Sequence, residues 1–502
     1  MSPRYTFMLL ASTAVRSLKM FAFLLSLLTV IGLGTGATQP GFEARITPSG
    51  LNFLSEIGIR ELKDEISKAT IPDQSGSSDV VIGTIDYTFS NMHVTSFDIP
   101  SASISTKTNV GVTVSASGLY LAMSGDWKYE LDSIIPVSDD GTFDVSLSDV
   151  SLAVTIEIGV DSKTGLPTVY SSSSDCSFYV GSVSVDIHGG ASWLYNLFDD
   201  MIEDDIQDAL NDQVCQIVVK EVNTDLAAEV AGITMVTSIS DTAEIDYSLV
   251  SAPMFNSSLT TFHKGEVYQI GNHTEAPFKI PTIPSDPDVS RMVFMWMTDY
   301  VANSAGYVLH NTGFFQYNVT QDEIPAGSKI SLNTSDFAIE FLIPQIAKLY
   351  PNMMMQMNLN TTAPPVVSIT PDSVGATING DIAAYVILPN KTLAYVFTLG
   401  ATLKVSADLG FTQSSLTWNS SYVSADLKLL YTAIDDFKID RLRSTLQFAC
   451  KAYIIPALNK YGAQGVPVPS FDDYVFMNPV VTQGQGFLKI GTDLAYQATR
   501  ST

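Results

Sequence analysis

Apolar and polar residues alternate with a period of two along much of the chain between about residue 80 and residue 187. The alternation is clearest in Val110–Val114, Phe143–Leu147 and Val183–Ile187. Asp139–Gly141 and Asp161–Gly165 have the composition of turns between strands. This region is therefore predicted to be an antiparallel meander.

A helical spacing comes before the meander. After a short predicted strand, Glu43–Thr47, Ser49 is placed to cap a helix that Pro72 and Gly76 would end. The apolar side of this predicted helix carries Leu51, Leu54, Ile57, Leu62 and Ile66.

A second, longer helix is predicted over residues 191–230. Apolar residues recur there at every fourth position: Leu194, Phe198, Ile202, Ile206, Leu210, Val214, Val218, Val222 and Leu226. Four residues advance roughly 400° around a helix, so the apolar stripe drifts by about 40° at each step. A straight helix could not keep this stripe against one flat surface, so the helix must be wrapped, bent or buried on changing sides.

The chain after residue 290 repeats this order in outline. The pattern predicts strands around Met292–Trp296, a short helix from Asp299, another around Ile339–Leu349, a meander, a long helix over Asp435–Tyr461 and closing strands. The two halves are joined by a proline-rich stretch, which favours an extended, semi-rigid connector over a packed element and contains Pro277, Pro281, Pro284 and Pro287.

The N-terminus has the order of a secretory signal. Arg4, Arg16 and Lys19 precede an apolar run of 14 residues, Met20–Leu33, and small residues follow up to Ala37. The run is shorter than the roughly 20 residues that span a bilayer. Residues 1–37 are therefore predicted to be a cleaved signal peptide, with an uncleaved signal anchor as the alternative, and the protein is expected to be secreted and extracellular.

Sequons and cysteines fit an oxidising, extracellular compartment. Cys176 and Cys215, 39 residues apart, could pair there and leave Cys450 over, and closing that loop would stabilise the fold by about 4 kcal/mol. Three scattered cysteines contain no close pair of metal ligands. All seven N-glycosylation sequons lie beyond residue 250, at Asn256, Asn272, Asn318, Asn333, Asn360, Asn390 and Asn419.

Length and composition narrow the class of protein. A chain of 502 residues exceeds the roughly 250–300 residues of one hydrophobic core, so two or more large units are expected. Hydrophobic residues make up 46% and charged residues 16%, which excludes wholesale disorder. The formal net charge is −26, and −29 after loss of the signal, which argues against nucleic acid as a partner.

No residue pattern indicates catalysis or a resident metal. The sequence has neither a Gly-x-Ser-x-Gly elbow nor a His-Glu-x-x-His motif, and the five histidines, His93, His188, His263, His273 and His310, are isolated. The acidic run between Asp199 and Asp212 lacks a calcium-loop pattern and is interpreted as a solvated helix face. We expect no enzyme activity, no metal and no cofactor.

Several short segments carry a resemblance to a known family, in order from Pro40 to Tyr496. They are Pro40–Thr47, Gly50–Leu51, Ile71–Asp73, Asn109–Gly111, Ser124–Trp127, Tyr247–Leu249, Arg291–Met292, Asp299–Tyr300, Asn303–Gly306, Pro344–Asn352 and Ala363–Pro365, together with Cys176 and Cys215. The chain resembles the family of bactericidal/permeability-increasing protein, lipopolysaccharide-binding protein, and the cholesteryl-ester and phospholipid transfer proteins.

The resemblance implies an α+β fold shaped as an elongated boomerang. Two barrel-like units, each a twisted antiparallel sheet wrapped on a long helix, would be joined by a central antiparallel sheet. It implies an N-terminal lipid-binding barrel over residues 38–233, central-sheet strands and linker over 234–291, a C-terminal lipid-binding barrel over 292–465, and closing strands and tail over 466–502. It also implies a disulfide between Cys176 on a strand and Cys215 on the long helix.

The same resemblance implies an apolar pocket in each unit that takes phospholipid acyl chains. Such a barrel gives the drifting helix stripe apolar partners on successive sides. The candidate lipid contacts in the first unit are Leu51, Leu54, Ile57, Leu62, Ile66, Leu194, Phe198, Ile202, Leu210 and Val214. Those in the second unit are Leu342, Ile346, Leu349, Phe448 and Ile455.

One departure from the family affects the ligand. In lipopolysaccharide-binding relatives the strand pair around the Gly-x-Trp segment is rich in lysine, whereas the corresponding stretch here, Asp126–Asp132, is mainly acidic. Residues 38–250 contain 8 basic against 33 acidic residues, a net charge of −25. This surface is predicted to repel anionic head groups at low salt unless bound cations intervene.

These observations lead to a ranked set of hypotheses. The first is a secreted protein, expected to be a monomer, that holds phospholipid-type amphipaths in two apolar pockets, with bacterial lipopolysaccharide or a membrane surface as further candidate partners in innate defence. The alternative is a lipid-transfer carrier that moves phospholipid or sterol ester between membranes. A lipid hydrolase is the least supported, because the nucleophile motif is missing.

Overall fold

The computed structural model describes residues 39–67, 71–80, 83–132, 136–161, 166–189, 207, 210–211, 213–324, 331–412, 415–435, 437–468 and 474–497. The predicted signal peptide, residues 1–37, lies outside these ranges. So do three of the predicted lipid contacts, Leu194, Phe198 and Ile202. Within the described ranges, every helix is too short or too polar to cross a bilayer.

The predicted meander is a curled antiparallel sheet, which contains β2 to β9. Its two longest strands, β5 and β6, pair along nearly their whole length, and the other edge of β6 pairs in turn with β9, β8 and β7. The first nine strands described are β1 (Phe42–Ile46), β2 (Gln74–Val80), β3 (Gly83–Asp98), β4 (Ser101–Lys107), β5 (Gly111–Asp132), β6 (Val137–Val160), β7 (Pro167–Tyr170), β8 (Cys176–Tyr179) and β9 (Ser182–His188).

One predicted turn in this sheet is wrong. Asp139–Gly141 lies inside β6, and the chain reverses earlier, between Asp132 and Val137. Gly141 is required for packing and not for a turn, because a Cβ there would lie 2.9 Å from the Trp127 ring and would clash with the His188 carbonyl oxygen. From the local sequence alone, a glycine that makes room for an aromatic ring cannot be distinguished from a glycine in a turn.

Two helices pack on the N-terminal sheet. The first, α1 (Pro48–Ser67), begins one residue before the predicted cap, so Ser49 lies within its first turn. Thr47 precedes it, and the Thr47 carbonyl accepts the first helical bond from Leu51 N at 2.9 Å. The second, α2, is helical over residues 213–231 and contains a π segment, Val222–Leu226, and a final α-helical part, Ala227–Ala231.

A central antiparallel sheet joins the two halves. Its strand order is β12-β13-β1-β15-β24-β23, so β1 from the N-terminal end pairs with strands that follow residue 250. The strands between residues 234 and 300 are β10 (Val236–Ser238), β11 (Ala243–Asp246), β12 (Met254–Phe255), β13 (Leu259–His263), β14 (Glu266–Gln269) and β15 (Val293–Thr298), and β10, β11 and β14 form a small separate sheet.

The proline-rich linker is extended, as predicted, but it is also packed. Residues 276–289 contain no helix or strand. At its start, the Ala276 N–H donates to buried Glu266 at 2.7 Å. Further along, Lys489 lies 2.6 and 2.7 Å from the carboxylates of Asp286 and Asp288. The bond to Glu266 therefore holds the start of the linker against β14 of the small sheet, and the charge pairs with Lys489 hold its end against β24 of the central sheet. The proline pattern alone did not show these contacts.

The C-terminal half forms a second curled sheet with its own helices. Its described strands are β16 (Gln316–Val319), β17 (Met354–Thr361), β18 (Val366–Thr370), β19 (Ser373–Ile387), β20 (Leu393–Phe411), β21 (Ser415–Thr432) and β22 (Val466–Pro467), and β23 (Tyr474–Gly484) and β24 (Phe487–Tyr496) return to the central sheet. The helices are α3 (Asp299–Asn311), α4 (Phe337–Leu342), α5 (Pro344–Leu349), α6 (Asp440–Ala449) and α7 (Ile455–Gln464).

The second long helix differs in detail from its prediction over Asp435–Tyr461. It begins at Asp440, because the Ala433 N–H donates to Val396 O at 2.8 Å and buried Ile434 packs in the core. A π segment, Cys450–Ile454, separates α6 from α7. Pro456, which has no N–H to donate, lies in the first turn after that segment. Similarly, the single helix predicted around Ile339–Leu349 is broken into α4 and α5 at Pro344.

Candidate lipid-binding sites

The inner face of the N-terminal sheet is apolar along its length. Phe143, Val145 and Leu147 on β6 are buried, while the residues between them are polar and more exposed. Val183 and Val185 on the neighbouring β9 are also buried. The curled sheet thus presents a continuous hydrocarbon surface to the helices that it encloses.

The predicted contacts on α1 lie on the side that faces this surface. Leu51, Leu54 and Ile57 are at most 6% exposed and belong to the main hydrophobic cluster. Ile66 is also buried, and Leu62 is half-buried. Such burial is expected both of ordinary core residues and of residues that would line a filled pocket, so their contact with lipid stays a prediction.

The described candidates of the second predicted helix are Leu210 and, on α2, Val214, and both are buried in the same cluster. Cys215 forms a disulfide with Cys176 on β8, with 5.6 Å between the Cα atoms, which confirms the disulfide that the resemblance implied. Asn223 adds a polar clasp: its Oδ1 accepts from Ser171 N and its Nδ2 donates to Ser171 O, both at 2.9 Å. The helix is therefore tied to the sheet at two points.

The outer face of the N-terminal sheet is acidic. The strand register places Asp144 directly opposite Asp186, and Asp86 directly opposite Glu130. Like charges in such pairs destabilise a sheet. Hydrogen bonds from Ser124 and His188 lower the pKa of Asp144, so this carboxylate stays ionised at neutral pH.

The C-terminal sheet has an interruption in its packed interior. One hydrophobic cluster contains Leu399 and Leu427, and a second contains Leu403 and Ala425. The two clusters share only Leu446, a half-buried residue of α6, among the described residues that pack on them. In an ordinary domain, neighbouring rows of a sheet would belong to one contiguous core.

Two small residues lie where these clusters separate. Gly380 on β19 pairs with Ala401 on β20, on the row next to the one that holds Leu403. Ala401 packs on the cluster that contains Leu399 and Leu427, and Gly380 lets the backbone of β17 approach, because a Cβ there would lie 2.7 Å from the Asn360 carbonyl oxygen. All residues from Gly375 to Ala383 on β19 are half-buried, whereas a strand packed on one face shows buried and exposed residues in alternation. We call the break between the cluster of Leu399 and Leu427 and the cluster of Leu403 and Ala425, which Leu446 borders, the C-terminal trough.

The predicted contacts of the second unit are divided by the structure. Ile346 is fully buried and Leu342 is half-buried, and both pack in the cluster that borders the trough. Ile455 is half-buried and packs in the other cluster. Leu349 and Phe448 are each 59% exposed and are absent from both clusters.

Sequence reasoning missed Gly380 and Ala401. Large apolar residues at helical spacing were used to identify the pocket, and this criterion does not select small residues. The available signal was a small residue at every fourth position of β19, Ala376, Gly380 and Ala384, on the same face as Ile378 and Ile382.

The sequon asparagines lie mainly at the surface. Asn256, Asn272, Asn318, Asn360, Asn390 and Asn419 are exposed. Asn333 is half-buried, and its Nδ2 donates to Asn352 at 3.0 Å. Their glycosylation stays a prediction. No group of three or more metal-ligating side chains lies together among the residues that the structure describes.

Comparisons with known proteins agree with this architecture. The N-terminal domain model of the LBP/BPI/CETP family matches residues 50–226, and the C-terminal domain model matches residues 237–496. The bactericidal permeability-increasing protein of Sebastes schlegelii is 33% identical over 464 residues, 92% of this chain and 96% of that protein. The lipopolysaccharide-binding protein of Bos taurus is 29% identical over 477 residues, 95% of this chain and 98% of that protein.

A solved structure supports the same relationship. The crystal structure of lipopolysaccharide binding protein matches with a TM-score of 0.60 and 27% identity, and the match covers 92% of this chain and 100% of that one. The two sheet-and-helix units with apolar inner faces define an α+β lipid-binding protein. The chain belongs to the LBP/BPI/CETP family.

Proposed function

We propose that this protein holds phospholipid-type amphipaths, with their acyl chains between each curled sheet and the long helix packed on it. The observation that carries the proposal is the C-terminal trough, the break between the hydrophobic cluster of Leu399 and Leu427 and the cluster of Leu403 and Ala425. The N-terminal unit is proposed to hold a second lipid, between α1, α2 and the inner face of its sheet.

Burial of acyl chains supplies enough free energy for stable binding. Each methylene removed from water contributes about 0.8 kcal/mol. A chain of roughly 16 carbons in the trough would therefore gain on the order of 10 kcal/mol before the cost of ordering it. An apolar trough suits such a chain, because an alkyl chain needs no hydrogen-bonding partners.

The charge of the N-terminal unit bears on the head group. The pairs Asp144–Asp186 and Asp86–Glu130 give the outer face of its sheet a negative potential. We infer that zwitterionic phospholipid binds without added ions. Lipopolysaccharide, the ligand named in several relatives, would require divalent cations or raised salt to approach this face.

We further propose that the protein is a secreted monomer without enzymatic activity. The signal-like N-terminus, the sequons and the disulfide support secretion. Binding by burial alone requires neither a nucleophile nor a metal. Release of fatty acid from a bound phospholipid would contradict the absence of enzymatic activity.

The test substitutes Ala401, which lies beside the trough. Ala401→Phe places a large side chain on the concave face, and Lys404→Phe, on the exposed face of the same strand, is the matched control. With fluorescently labelled phosphatidylcholine, we expect Ala401→Phe to remove about half of the bound lipid and Lys404→Phe to remove none. Equal lipid content in both variants and in the wild-type protein would contradict the proposal for this unit.

A second measurement separates holding from transfer. Labelled phospholipid is exchanged between donor and acceptor vesicles in the presence of the protein. Catalytic exchange of many lipids per protein molecule would favour the carrier alternative, whereas uptake that stops when the pockets are full would favour a holding role.

A further inference from the structure

The helical hairpin formed by α4 and α5 has apolar residues on two sides. Ile339 and Leu342 face inward and pack on the cluster that borders the trough. On the other side of α4, Phe337 is 83% exposed and Phe341 is 60% exposed. Their rings are stacked, with centroids 6.3 Å apart and planes at 21°.

The exposed phenylalanines are held in place by a rigid base. Buried Thr334 donates its hydroxyl to Tyr350 O at 2.5 Å, and its backbone N–H donates to Met353 O at 2.8 Å. Asp336 caps α4 by accepting from Ala338 N at 3.0 Å. Because both ends of the hairpin are fixed in this way, the outward position of Phe337 and Phe341 is a property of the fold and not of a frayed helix.

Exposure of two adjacent phenylalanines costs free energy in water, which indicates a surface that is covered during function. The pair exposes roughly 300 Å², well below the roughly 800 Å² that each partner contributes to a stable protein interface. A bilayer surface needs only a few ångströms of apolar depth, and two phenylalanines supply that depth.

The charges around the pair define the type of lipid surface. Residues 331–353 contain Asp336, Glu340 and Lys348 as their charged residues, a net charge of −1. The rest of the protein is also acidic. Anionic membranes are therefore disfavoured, and zwitterionic phospholipid surfaces are not.

We propose that α4 docks this protein on zwitterionic phospholipid bilayers by inserting Phe337 and Phe341. The inference rests on the proposed function and adds the surface from which the lipid is taken up. The inward residues of the same helix, Ile339 and Leu342, border the trough. A lipid that leaves the bilayer at this helix therefore meets the apolar cluster that borders the trough.

The test measures binding of the full-length protein to phosphatidylcholine vesicles by flotation. The protein is first deglycosylated enzymatically, because the sequon residue Asn333 lies four positions before Phe337. The double substitution Phe337→Ser and Phe341→Ser is compared with Val366→Ser and Val423→Ser, which also removes two exposed apolar side chains from the C-terminal sheet. We expect at least a tenfold loss of vesicle binding for the phenylalanine pair and less than a twofold change for the valine pair.

A second variant reports insertion directly. Phe337→Trp is expected to retain vesicle binding and to show additional fluorescence quenching by brominated phosphatidylcholine, relative to the wild-type protein. Equal vesicle binding by the serine pair and the wild-type protein would overturn the proposal. So would a serine pair that converts a self-associated protein to a monomer while vesicle binding is unchanged, because the pair would then cover a second copy of this chain.

The lipid content of the purified variants separates this inference from the proposed function. If the serine pair still carries lipid in its pockets but no longer binds vesicles, both proposals are supported. If lipid is carried and vesicle binding is unaffected, the docking proposal alone fails. If neither the wild-type protein nor any variant carries lipid, the proposed function fails.

Discussion

Asn459 on α7 makes two hydrogen bonds with the backbone of Ser420 on β21: its Oδ1 accepts from Ser420 N at 2.5 Å and its Nδ2 donates to Ser420 O at 3.1 Å. Asn223 on α2 makes the same pair of bonds with Ser171 in the other half of the chain. An asparagine thus joins a long helix to the backbone of the sheet in both halves. This correspondence supports a duplicated architecture more directly than the sequence does.

Loss of the Asn459 clasp is expected to destabilise the C-terminal unit. Asn459→Ala leaves the backbone N–H and C=O of buried Ser420 without these partners, which costs about 1–3 kcal/mol. Lys460→Ala, at an exposed neighbouring position, should change the unfolding free energy by less than about 0.5 kcal/mol. Urea unfolding followed by circular dichroism measures both, and equal midpoints for the two variants would contradict this role.

Removal of the disulfide is expected to destabilise the N-terminal unit. The double substitution Cys176→Ser and Cys215→Ser should lower the unfolding free energy by about 2–5 kcal/mol, because the unfolded chain regains the freedom of a long loop. A reductant should lower the denaturation midpoint of the wild-type protein and leave that of the double variant unchanged. A reductant that lowered both midpoints equally would act at a group other than this disulfide, such as buried Cys450, and would contradict the prediction.

Glu43 on β1 is expected to make the stability of the protein depend on pH. Burial raises the pKa of Glu43 from 4.5 to about 7, against the attraction of Arg45, which lowers it. Because the folded-state pKa is above that of the unfolded chain, the associated stability is fully present below pH 4.5 and is lost as the pH rises through 7. The free energy linked to this difference is on the order of 3 kcal/mol.

The substitution Glu43→Gln should therefore raise the unfolding free energy at pH 8 and leave it nearly unchanged at pH 5. Exposed Glu157→Gln on β6 is the control and should show no such difference. Denaturant unfolding of the wild-type protein and of Glu43→Gln, each at pH 5 and pH 8, gives the four unfolding free energies that are needed. An equal effect of Glu43→Gln at pH 5 and pH 8 would show that the carboxyl group is ionised in the folded protein throughout this range.

The sequence was sufficient for the elements and their order. Period-two alternation predicted the meander, and helical spacing predicted α1, α3 and the long helices to within a few residues at most described ends. The boundaries failed where tertiary contacts decide them. Gly141 was interpreted as a turn residue because the ring of Trp127, which needs the space, lies far away in sequence. The second long helix was predicted to begin at Asp435, five residues before its start at Asp440, because the contacts of the preceding segment with the sheet cannot be read from spacing.

The candidate site was less predictable, because a hollow is defined by what is missing. Leu349 and Phe448 have the same helical spacing as Ile346, yet they are exposed and Ile346 is buried. Periodicity shows that a helix has an apolar side, but not how far along the helix that side stays packed: Leu349 is the last residue of α5, and Phe448 is the last but one of α6. Gly380 and Ala401 became recognisable only when the strand register placed them on one row.

The proposed acyl-chain pockets are tested most directly by native mass spectrometry of the purified, deglycosylated protein, with identification of the lipids that it releases. The account predicts two phospholipid molecules per wild-type chain and one per chain of Ala401→Phe, with zwitterionic head groups dominant. A wild-type protein that carries no lipid and takes up none from phosphatidylcholine micelles would contradict it.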